Sequence, residues 1–298
     1  MLIGNYFKKV NLKNKNHYFS GLCFNDQLCK KDNIFFAIRG NKTNGNKFIQ
    51  SAIKKGAKTI VSNKNFQGIK DNILYIKSLN VRKSLAEVSF SICRFKPNNL
   101  IAVTGTNGKS SIADFYFQIL NLNKKKVASI GTLGVQTALG KKKVSNTTLD
   151  PILLCNHLKN LKKQKIENVI MEASSHGLHQ NRLNGLDFKT GIFTNLSHDH
   201  LDYHKDFSNY LESKLYLFKK LLKKNSNIIT DNSIPEYKKI RNISLKRKLK
   251  INTISNDEGT LKIISHKYLD EKQLVKIKYK GYLYSFETKL IGKIQIKN

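Results

Sequence analysis

Three short stretches of this 298-residue chain gather side chains able to handle phosphate or hold a metal cation. The first is Gly105-Thr106-Asn107-Gly108-Lys109-Ser110, set between the apolar run Leu100-Ile101-Ala102-Val103 and an amphipathic pattern from Ser110 to Leu122. Glycines let backbone N–H groups turn toward phosphate oxygens, and the N-terminus of a following helix adds partial positive charge. In such a turn Lys109 would reach the β- and γ-phosphates and the Ser110 hydroxyl would ligate Mg²⁺. Val103 stands where the general phosphate-loop pattern has its first glycine, so an ordinary strand-to-helix connection is the competing reading.

The second stretch closes the apolar run Val169-Ile170-Met171 with Glu172 and continues through Ser174, Ser175, His176, His179, Gln180 and Arg182. A carboxylate at the C-terminal end of a buried strand faces the crevice where open α/β sheets bind ligands, and Mg²⁺ prefers such oxygen donors. A helix cap explains the same residues equally well. The third stretch follows Gly191-Ile192-Phe193-Thr194 and packs His198, Asp199, His200, Asp202 and His204 into one short segment. Either a metal site or a polar loop with incidental histidines fits that spacing. Beyond it Phe207, Leu211, Phe218 and Leu222 share one helical face, with Lys214 on the same stripe. A buried ammonium must find a partner, lose its proton or be modified. A neutral amine there would take up CO₂ as a carbamate, an anionic oxygen ligand, whereas a lysine at the edge of the stripe would snorkel to water.

These groups need a scaffold, and the hydrophobic pattern supplies one. Residues 1–97 alternate short apolar runs (Ile34–Ile38, Thr59–Ser62, Ile73–Ile76) with a helical pattern through Phe48, Ile49, Ala52 and Ile53 that ends at Gly56. Pro97-Asn98-Asn99 reads as a linker. From residue 98 onward, apolar strands alternate with helices, which implies a parallel sheet covered on both faces. The expected fold class is therefore α/β, a small N-terminal domain (1–97) followed by a phosphate-loop, parallel-sheet domain (98–298).

Composition narrows the function class. The formal charge is +34, from 54 Lys and Arg against 20 Asp and Glu. The basic residues are mostly lysines spread evenly, without an Arg–aromatic stripe, so no specific nucleic-acid binding is expected. No apolar run is long enough to cross a bilayer and no signal segment opens the chain, so a cytoplasmic protein without membrane insertion is expected. Cys23, Cys29, Cys93 and Cys155 form no C-x-x-C pair, which favours free thiols.

Read together, Met171-Glu172-Ala173-Ser174-Ser175-His176-Gly177-Leu178-His179-Gln180-Asn181-Arg182, Phe193 to His204, Tyr210 to Lys214 and the Thr104–Ser110 loop resemble the MurE-type UDP-N-acetylmuramoyl-tripeptide synthetases of the Mur ligase family. Asn146-Thr147-Thr148 with Asp150-Pro151 is similar to a substrate-contacting stretch of that family, with Leu149 in place of its usual proline. Asp32 to Gly40 resembles its uridine-nucleotide-binding domain, although Asn25-Asp26-Gln27 departs from the family triplet.

The resemblance implies an ATP-dependent ligase of peptidoglycan (cell-wall) synthesis, acting in cell shape and division. It would add a third amino acid, diaminopimelate or lysine, to UDP-MurNAc-L-Ala-D-Glu through an acyl phosphate. Gly105, Thr106, Asn107, Gly108, Lys109, Ser110 and Ser111 would hold ATP. Ser110 and Glu172 would hold one Mg²⁺, and His200 with carbamoylated Lys214 a second; Lys109, Glu172, His200 and Lys214 form the implied catalytic set. Asn41, Lys42, Thr43, Thr147, Thr148, Ser174, Gln180 and Arg182 would contact the UDP-MurNAc-dipeptide. Leu290 to Asn298 resembles a segment late in the central domain, so an N-terminal fragment lacking the family's C-terminal ligase domain, doubtful in activity by itself, is expected. A monomer is expected. The alternative readings are an inactive nucleotide-binding remnant and, from charge alone, a nucleic-acid binder.

Overall fold

A computed structural model describes residues 1–8, 10–40 and 43–298, so the expected contacts Asn41 and Lys42 lie outside the described residues. Two compact units are present: Met1–Phe95 with Asp150–Leu158 and Gln180–Leu186, and Lys96–Leu149 with Lys159–His179 and Asp187–Asn298.

In the first unit, β1 (Gly21–Cys23), β2 (Asn33–Phe36), β3 (Thr59–Ser62), β4 (Gly68–Lys70) and β5 (Ile73–Lys77) pair in the order β1-β2-β3-β5-β4. All pairings are parallel except that of β4, an antiparallel edge. Parallel strands are buried on both faces and read as continuous apolar runs. In β2, Ile34 and Phe36 pack on one side with Leu85 and Val88 of α2 (Val81–Ile92), after α1 (Ile49–Lys54) has taken Phe35 on the other through Ile49 and Ala52. The α1 region stops at Gly56, whose φ of +99° suits glycine. The Asn80 side chain caps α2 by accepting the Lys83 N–H at 2.9 Å.

The cysteine expectation is corrected here. Cys23, at the end of β1, and Cys29, after the 3₁₀ turn Asp26–Leu28, form a disulfide, while Cys93 and Cys155 are free and buried. The turn folds the chain back and leaves the two Cα atoms 5.6 Å apart, inside bridging range although the spacing is no redox motif.

In the second unit, the described residues form one sheet from β6 (Asn99–Thr104), β7 (Val127–Gly131), β8 (Gly134–Thr137), β9 (Gly140–Lys142), β10 (Asn168–Glu172), β11 (Phe188–Phe193), β12 (Leu222–Asp231), β13 (Lys250–Ser255), β14 (Leu261–Leu269), β15 (Lys272–Tyr279) and β16 (Tyr282–Thr288). Its order is β16-β15-β14-β13-β12-β11-β6-β10-β7-β8-β9. The stretch from β14 to β7 is parallel, and antiparallel strands extend both ends. The helices are α3 (Lys109–Leu122), α4 (Pro151–Lys163, shared between the two units), α5 (Ser175–His179), α6 (Leu201–His204), α7 (Phe207–Tyr216), α8 (Tyr237–Arg247) and α9 (Lys293–Lys297).

The chain leaves β6 toward β7 and β10 on one side, then returns to β11 on the other. That reversal at β6 is the topological switch where α/β sheets open a ligand crevice. Ile101 and Val103 of β6 and Ile170 of β10 pack with Ala113 of α3. The expected α/β fold with a parallel-dominated sheet is present. One detail differs: the apolar stripe is not a single α-helix to Leu222. A π turn (Leu217–Leu221) follows α7, and Leu222 opens β12, because the wider turn seats Phe218 against β11, where Phe193 and Phe218 ring centroids lie 6.1 Å apart. No helix among the described residues is long and apolar enough to cross a membrane.

Candidate active site

Four neighbouring strands, β11, β6, β10 and β7, deliver the candidate groups at their C-terminal ends. The loop after β6 turns on two glycines with positive φ, Gly105 at +148° and Gly108 at +87°. Space also requires glycine at the first, since a Cβ on Gly105 would lie 1.8 Å from Thr194 Oγ1. Lys109 opens α3 and curls back over the loop, donating from Nζ to the carbonyls of Gly105 (3.0 Å) and Thr106 (2.7 Å). Burial lowers its pKa, and the carboxylates of Glu172 and Asp199 partly oppose that.

Glu172 ends β10 and is 2% exposed. Its Oε2 accepts from the Ser110 hydroxyl at 3.0 Å and from Thr132 Oγ1 at 3.2 Å, and its Oε1 accepts from the Thr132 N–H at 2.8 Å. Thr132 follows Gly131, the last residue of β7; a Cβ on Gly131 would fall 2.1 Å from Glu172 Oε1. Glu172 thus caps no helix, and the cap reading holds only for Ser174, whose Oγ accepts the Gly177 N–H at 3.1 Å at the start of α5. Its donors are neutral hydroxyls and an amide, and no salt bridge to it occurs among the described residues. A buried carboxylate held beside a serine hydroxyl is an oxygen donor pair suited to Mg²⁺.

Lys214 does not snorkel. It is 1% exposed, donates to the Gly105 carbonyl at 2.7 Å, and sits 4.4 Å above the Tyr210 ring. Burial, with the nearby Lys109 charge, pushes its pKa down to about 7. Tyr210 is itself fully buried, and its hydroxyl pairs with Thr106 Oγ1 at 3.0 Å, joining α7 to the loop after β6. The ring of His200 stands 6.3 Å from that of Tyr210, with Nδ1 3.5 Å from Asp199. The His176 ring packs against it at 4.9 Å, and His179, Tyr203 and His204 continue the cluster through contacts with His176 and one another. Burial chiefly, and the neighbouring imidazoles, push the His204 pKa down to about 4. Among the described residues no three His, Cys, Asp or Glu side chains converge as a ready-made metal cluster.

Thr147 reaches this centre through Thr132, with their hydroxyls 3.0 Å apart. Thr148 donates to the Glu172 carbonyl at 2.8 Å and accepts the Ser174 N–H at 2.9 Å, while Ser174 Oγ accepts from Gly177 N–H at 3.1 Å at the start of α5. Gln180 and Arg182 belong to the first unit. There Gln180 Oε1 accepts from both Arg182 (2.9 Å) and Arg82 (3.2 Å), and Arg82 also donates to the Arg39 carbonyl at 3.2 Å. Thr43 is exposed, its carbonyl accepting the Gly40 N–H at 2.8 Å. The acidic Asp26 turns inward, 7% exposed, and accepts from Ser51 at 2.6 Å.

Sequence reasoning missed Thr132, Thr194, Asn195, Tyr210 and Arg82. Only Tyr210 had a usable signal, because it lies one helical turn before Lys214. Beside the loop lies a cavity of about 410 Å³ whose walls include Asn107, Ile112, Ile192, Ile229 and Ile254.

Residues 103–298 match the family described as Mur ligase middle domain. The chain is 37% identical over 287 residues to the UDP-N-acetylmuramoyl-L-alanyl-D-glutamate--2,6-diaminopimelate ligase of Rickettsia montanensis, covering 95% of this chain and 59% of that one. The like-named protein of Zymomonas mobilis is 32% identical over 286 residues, with 96% and 58% covered. A solved structure of a ligase of that name superposes with a TM-score of 0.87 at 25% identity, over 100% of this chain and 61% of the other. A MurF ligase from Thermotoga maritima in complex with ADP shares the fold, with a TM-score of 0.60 at 16% identity, over 93% and 60%. The chain spans about 59% of the length of the curated relatives it matches. On the extent of the middle-domain match, the chain belongs to the Mur ligase family.

Proposed function

We propose that this protein binds ATP at the Gly105–Ser111 loop and serves amide-bond formation between a UDP-MurNAc-L-Ala-D-Glu acceptor and diaminopimelate, in the cytoplasm and as a monomer. The observation carrying this reading is that Lys109, Ser110, Glu172 and Lys214 gather around one loop at the switch point of the sheet. The choice of diaminopimelate follows the names of the relatives.

The chemistry joins two anions. The terminal D-glutamate carboxylate oxygen attacks the γ-phosphorus of ATP, ADP leaves, and an acyl phosphate forms. The amine nitrogen then adds to the acyl carbon, loses its proton, and inorganic phosphate departs with the C–O bond electrons. Lys109 neutralises the β- and γ-phosphates as the carboxylate approaches. Mg²⁺ held by Ser110 and Glu172, with a second ion at His200 and Lys214, would supply charge neutralisation. Lys214, with a pKa near 7, has a neutral amine available for CO₂; as a carbamate it would present oxygen in place of a cation. The cavity of about 410 Å³ beside Asn107 has the apolar walls and size of a nucleobase pocket. Thr147, Thr148 and Ser174 would meet the peptide end of the acceptor. Gln180, Arg182, Arg82 and Thr43 would meet its nucleotide and sugar portion, where paired guanidinium groups suit phosphate.

The test is calorimetric titration with MgATP, followed by an assay for ADP and amide product with the dipeptide acceptor and diaminopimelate. Micromolar ATP binding and acceptor-dependent ADP release are expected. Absence of ATP binding overturns the loop assignment. ATP binding without amide formation favours the nucleotide-binding remnant.

A further inference from the structure

We infer that Thr194 and Asn195, at the C-terminal end of β11, are positioning residues that hold the phosphate loop in its nucleotide-ready shape, an inference that rests on the nucleotide reading of that loop. The Asn195 carboxamide lies against the Asn107 peptide in both senses. Asn107 N–H donates to Asn195 Oδ1 at 3.0 Å, and Asn195 Nδ2 donates to the Asn107 carbonyl at 3.2 Å. Thr194 Oγ1 donates to the same carbonyl at 2.6 Å. The main chain joins in: Thr106 N–H donates to the Asn195 carbonyl at 2.9 Å and Thr194 N–H to the Thr104 carbonyl at 3.0 Å. The close seat of Thr194 against Gly105 leaves no room for a side chain there.

A carboxamide has the shape and polarity of a peptide group, so Asn195 extends the β6–β11 pairing past the last strand residue and into the loop. Two consequences follow. The Asn107 carbonyl, which would repel a phosphate oxygen, is turned toward β11 and satisfied there. The Asn107 N–H is also engaged, which leaves the N–H groups of the first turn of α3, which have no acceptor within their own helix, to meet phosphate. A loop with two glycines is otherwise conformationally loose, and fixing it before the ligand arrives removes an ordering cost from binding.

The test uses the whole chain and two readouts. Hydrogen exchange across Thr104–Lys109 is measured without nucleotide, and MgATP affinity by calorimetry, for wild type, Asn195→Ala, Thr194→Val and Thr194→Ser. Asn195→Ala and Thr194→Val are each expected to speed loop exchange and weaken ATP binding about tenfold, with Thr194→Ser, which keeps the hydroxyl, within about twofold of wild type. Exchange elsewhere, including α8, stays unchanged, which a general loss of stability would not allow. If Asn195→Ala does not fold, the contrast between valine and serine at 194 decides. Unchanged loop exchange, or faster exchange with undiminished ATP affinity, overturns the positioning role. If wild type itself fails to bind ATP, the nucleotide reading falls instead, and the exchange data still report whether the latch holds the loop.

Discussion

At the scale of single residues the site depends on charged groups buried against neutral partners. Removing the Lys109 ammonium leaves the phosphates with amide donors alone, so Lys109→Ala is expected to weaken ATP binding by at least about a hundredfold, read by calorimetry, as loss of a charge-assisted contact would. Lys214 gives a pH signature. Its folded pKa, about 7, lies below the ordinary lysine value of 10.5, so between those values the unfolded chain holds a proton that the folded chain has shed. In CO₂-free buffer stability therefore rises with pH across that window, and urea titrations of Lys214→Met should lack the rise. With ¹³C-bicarbonate present, a carbamate resonance is expected to be stronger at pH 8 than at pH 6 and absent from Lys214→Ala. Equal signals at both pH values would remove the carbamate from the scheme.

His204 works in the acid range by the same rule. Its folded pKa of about 4 lies below the ordinary 6.5, so the unfolded chain gains a proton first on acidification. The stability that a neutral imidazole contributes there is complete above 6.5 and is lost as pH falls toward 4. Denaturation midpoints of His204→Phe should show a flatter acid limb than wild type.

At the scale of elements, the site exists because strand ends meet. Glu172 was nominated by its place after an apolar run, and β10 does end there. Thr132 carried no such mark, since its role depends on β7 lying next to β10, a pairing of strands separated by the hairpin strands β8 and β9 and by α4. Gly131 tests this junction. Gly131→Ala places a methyl against the Glu172 carboxylate. It should weaken Mg²⁺-dependent ATP binding several-fold while leaving the circular dichroism spectrum unchanged. Lys214 shows the limit of periodicity. The stripe identified its face correctly, but helical spacing could not distinguish a snorkelling amine from one capped by Tyr210 and the Gly105 carbonyl. The π turn after α7 escaped for a similar reason: Phe218 and Leu222 keep an apolar rhythm whether the helix continues or ends.

At the scale of the whole molecule, the formal charge of +34 is dispersed lysine. Any affinity for DNA should be independent of sequence and vanish by about 200 mM salt, as counterion release requires; retention above that, read by anisotropy, would demand a dedicated surface. The Cys23–Cys29 disulfide closes a short loop in the first unit. Replacing both cysteines by serine should lower its stability by on the order of 2 kcal/mol.

The amino-acid sequence by itself determined the α/β class and nominated the Gly105–Ser110 loop, Glu172 and Lys214, because these are local facts: an apolar run, a glycine pair, a charged residue on an apolar stripe. Tertiary structure alone decided which groups hold them. Thr132 on Glu172, Asn195 on Asn107, Tyr210 under Lys214 and Cys23 against Cys29 are all contacts made by folding. Strand order and chain reversal bring such residues together, and no residue spacing along the chain encodes them.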